Sequence, residues 1–537
     1  MLPLYEDNTK NVALSETSTT TSLVNIAHNV SETEVNPYCV SVQSLNASTS
    51  PSKPRFSTSS QSPSRCLRLP QSLLILVHMH LLKRVCKLSL EVTLAQPRRS
   101  LPRLKRDLLK FFNQVGFVSH FFLDSALLTV KRYLPQLCSF ASHFGAEVQS
   151  VFLHVDGTFN VEEFLIYSGL LSGLELTLEN HNDLEFLHKS SVIFPRLKQL
   201  DVAVHSSITM PFLKMLNSIT IVTSVYLMPL VRSEGARALA DVLKANASVT
   251  IIKLWCNSIG NAGASVLAEM FKVNNTVKSV HLGRNSIGDE GATALADALK
   301  VNATLNDFNL DGNSIRDEGV RAFSEMLKVN ATLTSIDLSG NYINSEGARA
   351  LADALTVNIT LRSINLGANC IGDEGVGALA ESLKVNDNLT FIDLSDNHIA
   401  VEGAKALAEA LKINSTLTSI SLISNYIKAD GARALADALK FNVKLTFVNL
   451  SDNYIPAEGA KALAEALKIN DTLTSLNLTG NCLSDEGAVE LADALKINTT
   501  LKVITLGGNS VSDEGISALS KVLKVNAKIK ILEVSLL

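Results

Sequence analysis

One spacing constrains this chain more than anything else in it. Asn recurs at 257, 285, 313, 341, 369, 397, 425, 453, 481 and 509, always 28 residues apart. Leu stands three residues before each, from Leu254 to Leu506, and Gly six residues after each, from Gly263 to Gly515. A second Asn column runs without a gap from Asn246 to Asn526. A strict period with no insertion means one structural module repeated along an axis.

The unit 333–360 reads LTSIDLSGNYINSEGARALADALTVNIT. Leu333, Ile336 and Leu338 have the spacing of a short strand with one apolar face. From Glu346-Gly347-Ala348 onward, Ala348, Leu351, Ala352 and Leu355 recur at helical spacing. Each unit is therefore expected to be strand, turn, helix, turn. Alone it cannot bury enough surface, because burial at ~25 cal/mol per Å² only roughly offsets an ordering cost of ~1–2 kcal/mol per residue. The units must stack. Helices are about 10 Å wide and strands about 4.8 Å apart, so the stack must bend with its strands inside. The expected fold class is α/β: a curved strand–helix solenoid with its strands inside and its helices outside.

Asn341 falls where the chain turns inward after the strand. Its amide is expected to pair with backbone groups of its own and the next turn, as a ladder. Asn358, in the second column, is expected at the helix end because it tolerates left-handed φ. Glu or Asp before Gly in the first helical turn suits the positive end of the helix dipole, and Lys at 244, 272, 300 and onward to 524 suits the negative end. Asn246, Asn302, Asn330 and Asn414 begin N-x-[ST] triplets, but these repeat because the helix end repeats, so they read as caps and not as glycan sites.

The pattern LxxIxLxxNxIxxEGAxALAxAL, with its 28-residue period, resembles the ribonuclease-inhibitor-type leucine-rich repeat. It is also similar to the repeat domains of nucleotide-binding leucine-rich-repeat receptors and of Ran GTPase-activating proteins. The resemblance covers about 222–537 and implies a right-handed β-α superhelix, a horseshoe solenoid with a parallel concave sheet, convex helices and a protein-binding concave face. It says less about function, since the scaffold carries many jobs.

The rest of the chain divides into three. Residues 1–65 hold 22 Ser or Thr and read as a disordered leader. Residues 66–140 are apolar and basic, and read as a helical cap region whose two helical stretches are split by Pro97 and Pro102. Nine Lys or Arg lie between Lys83 and Lys110 against Glu91 and Asp107. They read as the solvated face of amphipathic helices, with nuclear import or phosphate contact as the other reading. Residues 141–221 read as degenerate repeats, in which Val151/Leu153, Leu174/Leu176 and Leu200/Val202 keep the strand pattern. Asp156, Glu179 and His205 take the ladder position there, and Pro229 takes it in the unit before the first regular repeat. The end, ILEVSLL, reads as an apolar strand without a polar cap, either covered by a partner or truncated.

Composition excludes several classes. A net charge of −4 argues against general nucleic-acid binding. The mean hydropathy of +0.20 raises the question of a membrane span. The longest candidate, Leu73–Leu82, contains His78 and His80 and is too short to cross a bilayer. MLPLYEDNTK lacks the features of a signal peptide. Seven scattered cysteines with no CxxC fit a reducing, cytoplasmic compartment. GxxxxGK[ST], HExxH and GxSxG are absent, and no catalytic, metal or cofactor residue is expected.

Recognition is expected at the positions the repeat leaves free, two and four residues before each ladder Asn. They begin at Lys253/Trp255 and His281/Gly283 and end at Thr505/Gly507. Trp255 is the only Trp, with Lys253, His281 and Arg284 on one side and Asp307, Asp311 and Asp337 on the other. An aromatic between opposite charges is the composition of an interface hot spot. The other reading of Trp255 is a packing role against the irregular N-terminal repeats. With Asn309 and Tyr342, these residues form the expected partner site. The expected function is a non-enzymatic scaffold for a protein partner, as a regulator in innate-immune-type signalling, with 66–140 as a second docking or cap region. Two alternatives stand beside it. One is a GTPase activator for a Ran-like GTPase, with Arg284 as its candidate positioning residue. The other is an F-box-like adaptor, from the faint similarity of Leu69–Leu74 to an F-box start.

Overall fold

The computed structural model describes residues 73–80, 87–94, 120–124, 150–155, 173–178, 199–205, 209–227, 231–529 and 531–533. Its eighteen strands form one sheet. Leu73–His80 and Lys87–Leu94 pair antiparallel. From Lys87–Leu94 onward every strand pairs in parallel with the next in sequence, ending at Ile531–Glu533. In the regular units the register is 28 residues throughout: Ser335 faces Ser363, Ile336 faces Ile364 and Asp337 faces Asn365. A helix follows each regular strand from Ile251–Lys253 to Val503–Thr505 and packs on the helices of neighbouring units. This is the expected β-α solenoid.

The core lies between the two layers. Leu333, Ile336 and Leu338 from the strand side meet Ala348, Leu351 and Leu355 from the helix side, all buried. The Gly column has a steric reason. A Cβ on Gly375 would lie 3.0 Å from the Ala348 Cβ and 2.6 Å from Ile371 Cγ2, so only hydrogen lets successive helices approach this closely.

The Asn ladder is present, with one correction: each Asn reaches back to the preceding turn, not on to the next. Asn341 Nδ2 donates to the carbonyls of Leu310 (3.0 Å), Leu338 (3.0 Å) and Ser339 (3.1 Å). Its Oδ1 accepts the Ile315 N–H at 3.0 Å. The second column is corrected too, since Asn358 is not left-handed. It builds another ladder: Asn358 Nδ2 donates to Leu327 O at 2.7 Å, and its Oδ1 accepts from Thr360 N and Leu361 N. Asn302, Asn330 and Asn414 use the same nitrogen for Phe271, Leu299 and Leu383 carbonyls, where a glycan would have to displace the ladder.

Helix entry depends on the unit before. Asp317 Oδ1 accepts from Asn344 N (2.9 Å) and Gly347 N (3.0 Å), the free amides at the start of the following helix, Ser345–Leu355. Asn261, Asp289, Asp373 and Asp485 serve the next helices in the same way. The capped residues Gly288, Arg316, Asn344, Ala400 and Ser512 are all extended. Where that upstream position holds Ser233, Ser345, Val401 or Ala457, the junction residue is left-handed instead: Gly260, Gly372, Lys428 and Ser484. Its N–H then donates to the carbonyl of the following ladder Asn, as Gly372 does to Asn397 at 2.9 Å. Pro456 alone stays extended without a side-chain cap from the preceding unit, because its ring fixes φ and it has no N–H to place. Asp317→Ala is expected to cost about 1 kcal/mol, read as a lower urea midpoint with faster amide exchange at Asn344 and Gly347. Unchanged exchange at both amides would refute the cross-unit cap.

The N-terminal reading needs revision. Leu73–His80, Lys87–Leu94 and His120–Asp124, expected within helical stretches, are strands. Their backbones pair with neighbouring strands, and that pairing outweighs helix propensity. The degenerate pattern at Val151/Leu153, Leu174/Leu176 and Leu200/Val202 does fall on parallel strands. The leader 1–65, the basic run from Arg98 to Lys110, the Asp156, Glu179 and Pro229 positions, most of Leu69–Leu74 and the last four residues lie outside the described residues.

Candidate partner-binding surface

The residues two and four before each ladder Asn line the sheet side of the solenoid. Toward its N-terminal half they enclose an open cavity of about 600 Å³, lined by Tyr226, Lys253, Trp255, His281, Arg284, Asn309, Asp311, Asp337, Ser339 and Asn365. Seven of the nine residues expected from the sequence meet here. Asp307 is not among the lining residues and is paired with His281 at 3.3 Å. Tyr342 is not among the lining residues. It follows a ladder Asn and belongs to the strand-to-helix rim, where His398, Tyr426 and Tyr454 stack at 6.1 and 5.8 Å.

Trp255 is 41 % exposed, not packed into the core as a cap. The Arg284 guanidinium lies over its ring, 5.2 Å from the centroid, a contact worth about 0.5–1 kcal/mol at an exposed site. Arg284 stands at a sharp turn. The residue before every ladder Asn is left-handed, and here φ is 53°. Gly283 lies close between the walls: a Cβ there would press on the Asp311 carboxylate and on the Trp255 ring. No hydrogen bond or ion pair to another described residue engages the Lys253 ammonium or the Asp311 carboxylate.

Asp337 is the opposite case. Its carboxylate accepts from Ser339 N (2.9 Å), Ser339 Oγ (2.6 Å), Asn309 Nδ2 (3.1 Å) and Asn365 Nδ2 (3.2 Å). Burial, helped by the charge of Asp311, still pushes its pKa above the usual carboxylate value despite those bonds. Asp307 moves the other way. Burial raises it, but hydrogen bonds from His281 and Ser279, with the His281 charge, outweigh that and hold it low.

Ser279, His281 and Asp307 form a cluster of residue types used by hydrolases, but not the relay. His281 Nε2 faces both Ser279 Oγ (3.2 Å) and Asp307 Oδ2 (3.3 Å), and Ser279 Oγ donates directly to Asp307 at 2.7 Å. With one ring nitrogen serving both partners, the imidazole cannot take a proton from Ser279 while Asp307 orients it.

Of the other lining residues, the spacing places Ser339 and Asn365 on the concave face without singling them out, and it does not reach Tyr226. Ser339 and Asn365 occupy free positions of the repeat and carried no distinguishing chemistry. Tyr226 precedes the regular period, but its strand Val222–Leu227 pairs it with Lys253 and so brings it into the same wall.

The described residues thus form a parallel strand–helix solenoid with a polar, indented inner face. Eight stretches match the family model described as leucine-rich repeat: 273–296, 301–324, 329–352, 357–380, 385–408, 441–464, 470–492 and 498–520. These eight stretches are similar to leucine-rich repeats, and such repeats are generally protein–protein interaction modules. The crystal structure of an internalin (InlF) from Listeria monocytogenes str. 4b F2365 is similar at 17 % identity over 76 % of this chain and 96 % of that one, with a TM-score of 0.41. No curated protein matches the chain significantly. Among the described residues, no helix is long and apolar enough to cross a membrane.

Proposed function

We propose that this chain is a non-enzymatic, cytoplasmic scaffold that holds a protein partner on its concave face, anchored in the cavity around Trp255. One observation carries the reading. An open indentation presents an aromatic face, a cation at Lys253 and an anion at Asp311, and neither charge is matched by a described residue. Desolvating both charges favours a partner that brings the opposite charges in the same geometry. The partner segment is therefore zwitterionic in pattern: an acidic group for Lys253 and a basic group for Asp311 and Asp337, with an apolar group on Trp255. The acidic balance of the chain disfavours nucleic acid as that partner.

The test is affinity capture followed by mass spectrometry, comparing the wild type with a Lys253→Glu, Asp311→Lys double reversal. Partners held in the cavity should drop out with the variant. A cationic group beside Asp337 would lower its raised pKa, so binding should release a proton. Affinity should weaken as pH falls through that raised value, and Asp337→Asn should flatten the dependence. Partners captured equally by wild type and reversal, with no pH dependence, would count against the cavity.

A further inference from the structure

One residue before each Asn of the second ladder, from Val273 to Val525, stands Val, Ile or Phe, ten in succession at 28-residue intervals. Each is 57 to 67 % exposed. The row runs along the rim where helices hand over to strands, away from the cavity face. The backbone holds it firmly, with Val273 N bonded to Met270 O and Phe441 N to Ala438 O, each at 3.0 Å. Isolated apolar side chains on a surface are ordinary, but an unbroken row is not.

We propose that this row joins two copies of the chain, rim to rim, about a two-fold axis passing between Val385 and Ile413. Three observations favour a second copy over other occupants. Exposed side chains of this size hide roughly 100 Å² each, which gives about 1,000 Å² per copy against the ~800 Å² of a standard interface. The two lysines beside the axis are already matched within their own helices, Lys384 by Glu381 at 2.6 Å and Lys412 by Glu409 at 2.6 Å. Such a rim neither repels its own copy nor attracts an anionic bilayer. Third, two units carry an additional exposed apolar residue: Ile359 beside Val357, and Val443 beside Phe441. They lie one unit outside the central pair on either side, so the two-fold sets them against each other. Self-complementarity of this kind is what a two-fold contact requires.

Sedimentation of the full-length chain at tens of micromolar tests this. The wild type should be dimeric. Val385→Lys with Ile413→Lys should weaken self-association about a hundredfold or more, since like charges then meet at the axis. Val385→Glu with Ile413→Glu should do the same, and the two variants mixed should dimerise again. That restored pair also shows that both still fold. Trp255→Ala should leave the dimer intact, which separates this surface from the cavity. A monomeric wild type overturns the proposal, as do variants that still dimerise, a mixture that stays monomeric, or a wild type that instead binds phosphatidylcholine–phosphatidylserine vesicles through this row.

Discussion

Asn341→Ala should lower stability by about 3 kcal/mol. The side chain is buried and uses both ends of its amide. Removing it leaves the Ile315 N–H without its acceptor in a place water does not reach. The carbonyls suffer less, because Leu310 O is also reached by Asn313 and Leu338 O by Asn369. Asn341→Asp has nearly the same shape and should be worse than Ala. A carboxylate would turn a second acceptor, and a charge, toward three carbonyl oxygens. Denaturant melts and amide exchange check this, with lost protection expected at Ile315 and in the units on either side, because stability in such arrays is a nearest-neighbour property. If the Asp variant proved as stable as the wild type, the ladder would not be the seam described.

Trp255→Ala should weaken the partner captured through the cavity by roughly 30-fold or more, the ~2 kcal/mol typical of an aromatic hot spot. The fold should scarcely notice, because the ring is substantially exposed and touches the core little. Trp255→Phe should recover part of the loss, keeping an aromatic face for Arg284 and the partner. Titration of the captured partner against the three proteins, with thermal melts beside it, separates the outcomes. A binding loss that tracks a lowered melting temperature would make Trp255 a structural residue. A loss at unchanged melting temperature is what the cavity reading requires.

Much of this was legible before any coordinates. A 28-residue repeat forces neighbours to share register, so the parallel sheet, the buried Leu254-to-Leu506 column and the first Asn ladder follow from spacing alone. The concave positions follow equally, because side chains alternate across a strand and the repeat leaves one face free. Seven of the expected site residues therefore meet in one cavity. Tyr342 does not, since it lies beyond the turn, where alternation no longer applies. The N-terminal stretches were misread as helices because an aperiodic apolar run does not distinguish strand from helix, and only a pairing partner decides.

The sequence by itself determined the module, its stacking and which residues face the hollow, because all three are properties of one unit and its period. Tertiary structure decided what passes between units. It sent each ladder amide back to the previous turn, made Asp317 the cap of another unit's helix, laid Arg284 over Trp255 and left Lys253 and Asp311 without partners among the described residues. Those contacts join residues about 26 to 31 positions apart, and their geometry depends on how far one rung is displaced from the next, a distance that no single unit encodes.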